Sequence, residues 1–307
     1  VGKSEGIQNY SSLEPRISLN VLLGNTSSLK ASYNRMTQYI HLLSNTAASS
    51  SLDVWTPSTN NIKPEIADAY VLGYFKNFKN NTYEASLELY YKDLENQIDY
   101  IDGADLLINK YIEGDLLTGI GRAYGLEFLF KKNRGRYNGW FSYTLGRSEL
   151  KIDGINKYEW YPTRYDQTHN IKITSTYKIN DRVQISGNFV YLTGTPVTFP
   201  SSKFVIQGFA IPHNASSARH QFRIPDYHRL DFSVTINGKK KKKNGKARKN
   251  DSSLIIGVYN VHNRRNPFSI YFSQGDGTVS DSYVPGEVTR LSIIGSFVPS
   301  ITYNFKF

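Results

Sequence analysis

LSIIGSFVPSITYNFKF, residues 291–307, closes the chain, and from Ile301 onward its side chains alternate without error. Ile301, Tyr303, Phe305 and Phe307 fall on one face and Thr302, Asn304 and Lys306 on the other, the period of a strand with one oily side and one wet side. Chain ends usually fray into polar tail; here the most apolar alternation sits at the terminus, which lipid explains better than water. A strand cannot enter hydrocarbon alone, because every backbone N–H and C=O must be paired there. A lipid-facing strand therefore requires a closed barrel. Taken by itself, the segment also fits the last strand of a soluble sandwich.

The same pattern recurs upstream. Leu13, Ile17, Leu19 and Val21 alternate with polar neighbours, as do Leu29, Ala31, Tyr33 and Tyr39, the segment 66–75, and Tyr83, Ala85, Leu87, Leu89 and Tyr91. Further runs centre on Tyr124 to Phe130, Phe141 to Leu145, Ile171 to Tyr177, Val183 to Tyr191 and Leu230 to Ile236. A penultimate strand is predicted over 253–272, broken near Asn263–Pro267 because Pro267 cannot donate to a ladder. This makes eleven strands. Their connections alternate between short turns (24–25, 79–82, 132–135, 179–181) and long polar loops (44–61, 93–120, 147–165, 195–224, 273–286), with the lysine-rich stretch 238–251 as one longer turn on the short side. Sorting short turns to one rim and long loops to the other is how outer-membrane barrels are built, and a soluble sandwich has no reason to do it. The predicted fold class is all-β, an antiparallel up-and-down transmembrane β-barrel. Glu84, Glu88, Glu127, Lys172, Arg229 and Asp231 are expected to line its watery lumen.

Composition agrees. The 307 residues include 23 Tyr and 16 Phe but one Met and no Cys, and no run approaches the ~18 apolar residues of a membrane-spanning helix. The net charge of +11 is local: 238–251 holds eight basic residues and one Asp, so the rest of the chain carries only +4. Such a run reads as a solvated turn, and no nucleic-acid partner is expected. The chain opens VGKSEGIQNY, with neither a basic start nor an apolar core, and is read as mature or as a fragment.

Several stretches resemble the TonB-dependent receptors of Bacteroidetes-type outer membranes: IKPEIADAYVLGY (62–74), YEASLELYYKDLENQIDY (83–100), GRAYGLEFLFKK (121–132), GWFSYTLGRSE (139–149), YPTRYDQTHNI (161–171), FVYLTGTPVTFP (189–200), PDYHRLDFSV (225–234), GVYNVHNRRNPF (257–268) and the Phe-terminated end. The resemblance implies a 22-stranded barrel around a plug, of which residues 1–307 supply the carboxy-terminal half. Plug, first half of the wall and the segment that engages TonB are expected to be missing. It implies energised uptake of a bulky, scarce nutrient, such as a ferric siderophore, glycan or peptide, across the Gram-negative outer membrane. Implied partners are membrane lipid and lipopolysaccharide, TonB through the missing part, the nutrient ligand, and the barrel-assembly machinery, whose client signal Tyr303, Phe305 and Phe307 resemble. A passive or structural barrel and a soluble β-rich binding module are the alternatives.

No catalysis is expected. The six His (41, 169, 213, 220, 228, 262) form no HExxH pair and Cys is absent, so neither a metal site nor a cofactor is predicted. His228 reads as a rim residue, and the Asp-Gly segments 102–105 and 275–281 read as turns rather than Ca²⁺ loops. Ligand contact belongs to long loops on a rigid barrel. Trp160, Tyr161, Arg164 and Tyr165 form the densest aromatic and cationic group there, and Arg219, His220, Arg223 and Arg229 the densest cationic one.

Overall fold

A computed structural model describes residues 8–44, 53–102, 104, 109, 111–199, 202–206, 209–213, 219–240, 250–274 and 286–307. Eleven strands follow one another in strict chain order through one antiparallel sheet. They are β1 (Arg16–Leu22), β2 (Ser27–Gln38), β3 (Glu65–Phe78), β4 (Tyr83–Tyr100), β5 (Leu116–Lys132), β6 (Tyr137–Ile152), β7 (His169–Lys178), β8 (Val183–Leu192), β9 (Tyr227–Asn237), β10 (Asp251–Tyr259) and β11 (Val298–Lys306). Tyr161–Pro162 adds a short twelfth piece beside β6. The sheet is the wall of an up-and-down barrel, with β1 and β11 as its two edges. No helix among the described residues is long and apolar enough to cross a membrane.

The loop sorting is present as expected. Residues 23–26, 79–82, 133–136 and 179–182 join strands on one rim, together with 238–250, while 39–64, 101–115, 153–168, 193–226 and 260–297 join them on the other. Lys79, Asn80 and Asn81 all adopt positive φ, which tightens the β3–β4 turn.

Two predicted boundaries are corrected. The loop expected over 93–120 shrinks to 101–115, because β4 runs to Tyr100 and β5 starts at Leu116. The alternation breaks there because a bulge between Leu94 and Gln97 switches the faces. The penultimate strand ends at Tyr259, and Ser269–Gln274 leaves the wall to pair with Gly286–Leu291 in a hairpin of its own. The tight turn at Asn260–Asn263 diverts the chain. Lysine-run residues 241–249, Gly103, Asp105 and the 275–281 segment lie outside the described residues.

Register shows how the faces are used. Val21, Leu29, Tyr74, Leu87, Phe128, Tyr143, Ile171 and Tyr191 lie in one cross-strand row over eight strands. A second row runs Ile185, Val234, Ile256, Ile301. Ile301 is 75% exposed, and burial into neither core nor partner sheet explains such rows; acyl chains do. The band has a sharp upper edge. Tyr33, Tyr70, Tyr91 and Tyr124 form one row, and the next outward row is Arg35, Asp68, Asp93, Arg122, Glu149. An aromatic girdle capped by charge marks where hydrocarbon gives way to headgroups. On β4 the apolar span from Tyr83 to Tyr91 covers nine residues, the length a tilted strand needs to cross the hydrocarbon.

Glu84, Glu88, Glu127, Lys172, Arg229 and Asp231 all fall on the opposite face, as predicted. There Tyr90 lies across the directly paired Gly125 and Gly146. A Cβ on Gly125 would stand 2.9 Å from the Tyr90 ring and 2.3 Å from the Leu145 carbonyl oxygen, so the ring covers a patch that only glycine leaves open.

Candidate functional site on the long-loop rim

Above the girdle the bulge at Asn96 (φ 55°) decides the chemistry. Asp93 and Glu95 share the lipid-side parity of Leu89 and Tyr91, whereas Gln97 and Asp99 pair with Gly119 and Leu117 and point to the lumen side with Leu150 and Ile152. Tyr161, paired with Leu150, takes the same side. Ile152, Ile155 and Tyr161, flanked by Leu117 and Leu150, form a small hydrophobic core there. The loops thus pack onto the inner wall.

Arg219, from the 193–226 connection, is driven into this core and is only 2% exposed. Its Nη1 donates to Asp99 Oδ1 at 2.7 Å, and its Nη2 donates to the Tyr100 carbonyl and to Asp102 Oδ1, both at 2.9 Å. The guanidinium stands 4.4 Å from the Tyr100 ring centroid. Asn156 brackets its backbone, accepting from the Arg219 N–H at 2.9 Å and donating to its carbonyl at 3.0 Å. Tyr161 Oη donates to Asp99 Oδ2 at 2.7 Å. His220 (φ 55°) donates from Nδ1 to the Pro162 carbonyl at 2.8 Å. Three long connections therefore meet at one buried guanidinium.

The electrostatics follow from burial. Removal from water pushes the Tyr161 hydroxyl far above the usual phenol range, and the Asp99 charge adds to this. Burial lowers the His220 imidazole, against the opposing pull of Asp99. It also works against the Arg219 charge, but Asp99 and its neighbours outweigh it and hold the guanidinium above its ordinary value. Asp102 Oδ2 is buried without a hydrogen-bond partner among the described residues.

The other predicted residues lie around this cluster. Arg223 donates to the Asp166 carbonyl at 3.0 Å, to the Gly194 carbonyl at 2.9 Å and to the buried Asp166 carboxylate. Trp160 lies over Arg122, whose Cζ is 4.1 Å from the indole, and Arg122 and Arg147 both hold Glu149. A cavity of about 550 Å³ joins Trp160, Tyr161, Arg219, His220, Arg223 and Arg147. A second, of about 220 Å³, includes Arg164 and Tyr165, with His220 lining both. Arg164 Cζ lies 5.9 Å from the Tyr165 ring, which is 62% exposed. Arg229 stays apart on the inner wall, bonded to Asp231 and to the Tyr227 and Tyr259 hydroxyls. Asp99, Asn156 and Asp166 carry no signal of their own in the sequence, and Asp102 reads there only as part of an Asp-Gly turn. The one indication for Asp99 is its place in YEASLELYYKDLENQIDY, hidden by the change of face at the bulge. Among the described residues no group of three or more His, Asp or Glu is placed to hold a metal ion.

A meander wall with a lipid-facing apolar band, a charged inner face and long loops gathered on one rim defines an outer-membrane β-barrel protein. More particularly, the chain belongs to the TonB-dependent receptor-like β-barrel family, whose model matches residues 2–261, and its place is the outer membrane of a Gram-negative bacterium. Comparison with curated proteins found no match. Among solved structures it is similar to the ferric-catecholate import receptor Fiu of E. coli K12 in its closed form (14% identity, TM-score 0.57, covering 95% of this chain and 34% of that one). It is also similar to the pyoverdine outer-membrane receptor FpvA of Pseudomonas aeruginosa PAO1 bound to pyoverdine (13%, 0.58, 96% and 36%) and to the unliganded ferric citrate transporter FecA (14%, 0.57, 95% and 38%). At these identities the likeness is one of fold, and the chain spans about a third of the length of those structures.

Proposed function

We propose that the chain is the carboxy-terminal half of the barrel of an outer-membrane receptor that takes up a bulky, scarce nutrient with energy relayed through TonB. Plug and TonB-engaging segment belong to the rest of the full-length receptor. The observation that carries this reading is the Arg219 cluster, which folds long loops onto the lumen side of the wall and leaves aromatic and cationic side chains around two cavities. Trp160, Arg164, Tyr165 and Arg223 are assigned to ligand contact. Arg219 and Tyr161, deep in the cluster, hold the loops that present them. A ferric siderophore is the favoured cargo class: cationic and aromatic side chains suit an anionic chelate, and the fold neighbours include a ferric-catecholate import receptor and a pyoverdine receptor. Glycan and peptide remain the other two classes.

At the chain's end Tyr303 and Phe305 stack with centroids 6.4 Å apart, and Phe305 meets Phe307 edge-on at 4.9 Å. We assign them as the signal read by the assembly machinery; the apolar band and the charged row above it meet lipid and lipopolysaccharide. Uptake of labelled ferric siderophores, oligosaccharides and peptides by cells carrying the full-length protein, with and without TonB, tests the function. Accumulation of one class that disappears with TonB supports it, and accumulation indifferent to TonB identifies a passive pore instead.

A further inference from the structure

GVYNVHNRRNPF (257–268) takes no part in the Arg219 cluster, yet its polar groups are densely bonded. Asn260, 1% exposed with φ 58°, is the anchor. Its N–H donates to Asp231 Oδ1 at 3.0 Å, its Nδ2 donates to the carbonyls of Arg264 and Ser296 at 3.0 and 3.3 Å, and its Oδ1 accepts from the Arg264 N–H at 3.2 Å. Val261 N–H donates to the Leu230 carbonyl at 2.7 Å, stitching the turn to β9, and Asn263 N–H closes it on the Asn260 carbonyl at 2.8 Å. Asn266 then clamps the backbone of His228 from both sides, accepting from its N–H at 3.1 Å and donating to its carbonyl at 2.9 Å. All of this sets His262 beside His228.

The two imidazoles meet with Nδ1 atoms 3.3 Å apart, ring centroids 5.3 Å apart and planes at 73°. His262 also rests its ring edge-on to Phe189 at 6.4 Å, which restricts its rotation. Among the described residues no other group bonds to either ring nitrogen. Two nitrogens about 2.0–2.1 Å from a tetrahedral Zn²⁺ stand about 3.3–3.4 Å from each other, the separation found here. We infer that His228 and His262 form a two-histidine site for a borderline divalent transition metal, Zn²⁺, Ni²⁺ or Cu²⁺, held through the two Nδ1 atoms with water completing its shell. Asn260 and Asn266 are positioning residues that hold the backbone carrying the two imidazoles, Asn260 at the turn before His262 and Asn266 on both sides of His228. Arg264, tied through Nη2 to the Asp226 carbonyl at 2.7 Å, keeps a positive charge nearby. With only two protein ligands and that charge, the site exchanges its ion readily. His228 takes the outward side of β9 beside Tyr191, one residue from the long-loop end of the strand, and His262 is exposed there, so the ion reaches the pair at the rim, where the apolar band ends. This inference does not rest on the uptake reading.

Zn²⁺ and Ni²⁺ titrated calorimetrically into the full-length protein in detergent, in a buffer that does not bind metal, test it. One equivalent is expected to be lost in His228→Asn and in His262→Asn, while Asn266→Ala keeps the stoichiometry and binds about tenfold or more weakly. Heat-modifiable migration on gels establishes that each variant is folded. The unaltered protein loaded with one equivalent of Cu²⁺ provides a reading free of folding effects: nitrogen couplings from two imidazoles in its paramagnetic resonance spectrum are expected. Couplings from fewer than two, no binding by the unaltered protein, or full stoichiometry and affinity in both histidine variants would overturn the assignment.

Discussion

Asp99 shows how one residue can organise a receptor's outer loops. Its carboxylate accepts from Arg219, from Tyr161 and from the Tyr100 N–H, so both of its buried oxygens are satisfied. Removing the guanidinium reverses this. Arg219→Ala leaves two buried carboxylates unpaired, and a local loss of about 3–5 kcal/mol is expected. Amide exchange would report it as lost protection in 153–168 and 219–226, with β5 to β8 unchanged; Arg219→Lys, which keeps the charge but not the fork, should fall between. The same cluster carries a pH dependence. His220 has a depressed pKa in place, so the docked loop binds fewer protons than the released one. Its contribution is whole above the free imidazole value of about 6.5 and declines as pH falls through the lower, docked value. Protection of 219–226, taken relative to the intrinsic exchange rate at each pH, should fall between pH 7.5 and pH 5, and His220→Asn should flatten that profile.

At the level of the element, a single extra residue in β4 separates membrane from receptor. Below the bulge β4 presents Leu87, Leu89 and Tyr91 to lipid; above it the parity changes and Asp99 faces the lumen. Asn96 supports the positive φ and donates from Nδ2 to the Pro64 carbonyl at 2.9 Å. Deleting Asn96 removes the extra residue while keeping Leu94 opposite Gly121 and Gln97 opposite Gly119, so Gln97 and Asp99 should stay on the lumen side and loop protection should survive, in contrast to Arg219→Ala. β5 and β6 offer a second test. Gly146→Ala meets the Tyr90 hydroxyl at 2.8 Å and ordinary spacing elsewhere, so a cost of about 1 kcal/mol is expected, recovered in the Tyr90→Phe background. Gly125→Ala meets the Leu145 carbonyl oxygen at 2.3 Å; backbone must move, and Tyr90→Phe should not rescue it. Denaturant midpoints of the folded barrel in micelles would separate the two.

Across the whole molecule, the two faces of one sheet answer to two solvents. Leu87 lies midway between Tyr83 and Tyr91 on the apolar side, and Glu88 beside it faces the opposite way. Leu87→Arg should cost about 2–4 kcal/mol in folding into bilayers, the penalty for a cation near the hydrocarbon midplane. Glu88→Arg, placed in the aqueous lumen, should cost far less. Equal penalties would mean that the apolar rows do not meet lipid. Because β1 and β11 are open edges and hydrocarbon tolerates none, these measurements require both edges closed, as in the proposed full-length receptor.

Alternation and loop length were readable directly from the residues, because a strand between lipid and water must change polarity at every step and turn chemistry is local. Strand number, the lipid face, the lumen charges and the membrane assignment all followed from that. Where both faces of a strand rise into water, the pattern carries no such constraint, and β4 beyond Asp93 looked like loop. Tyr161, Arg219 and Arg223 stand out as dense aromatic and cationic sequence; their partners Asp99, Asn156 and Asp166 do not, and Asp102 reads only as part of a turn. Their pairing spans separations of up to 120 residues and depends on a bulge that exchanges the faces. Only the folded wall brings such distant groups together, since a buried ion pair is specified by where the chain passes through space and local sequence period carries no record of it.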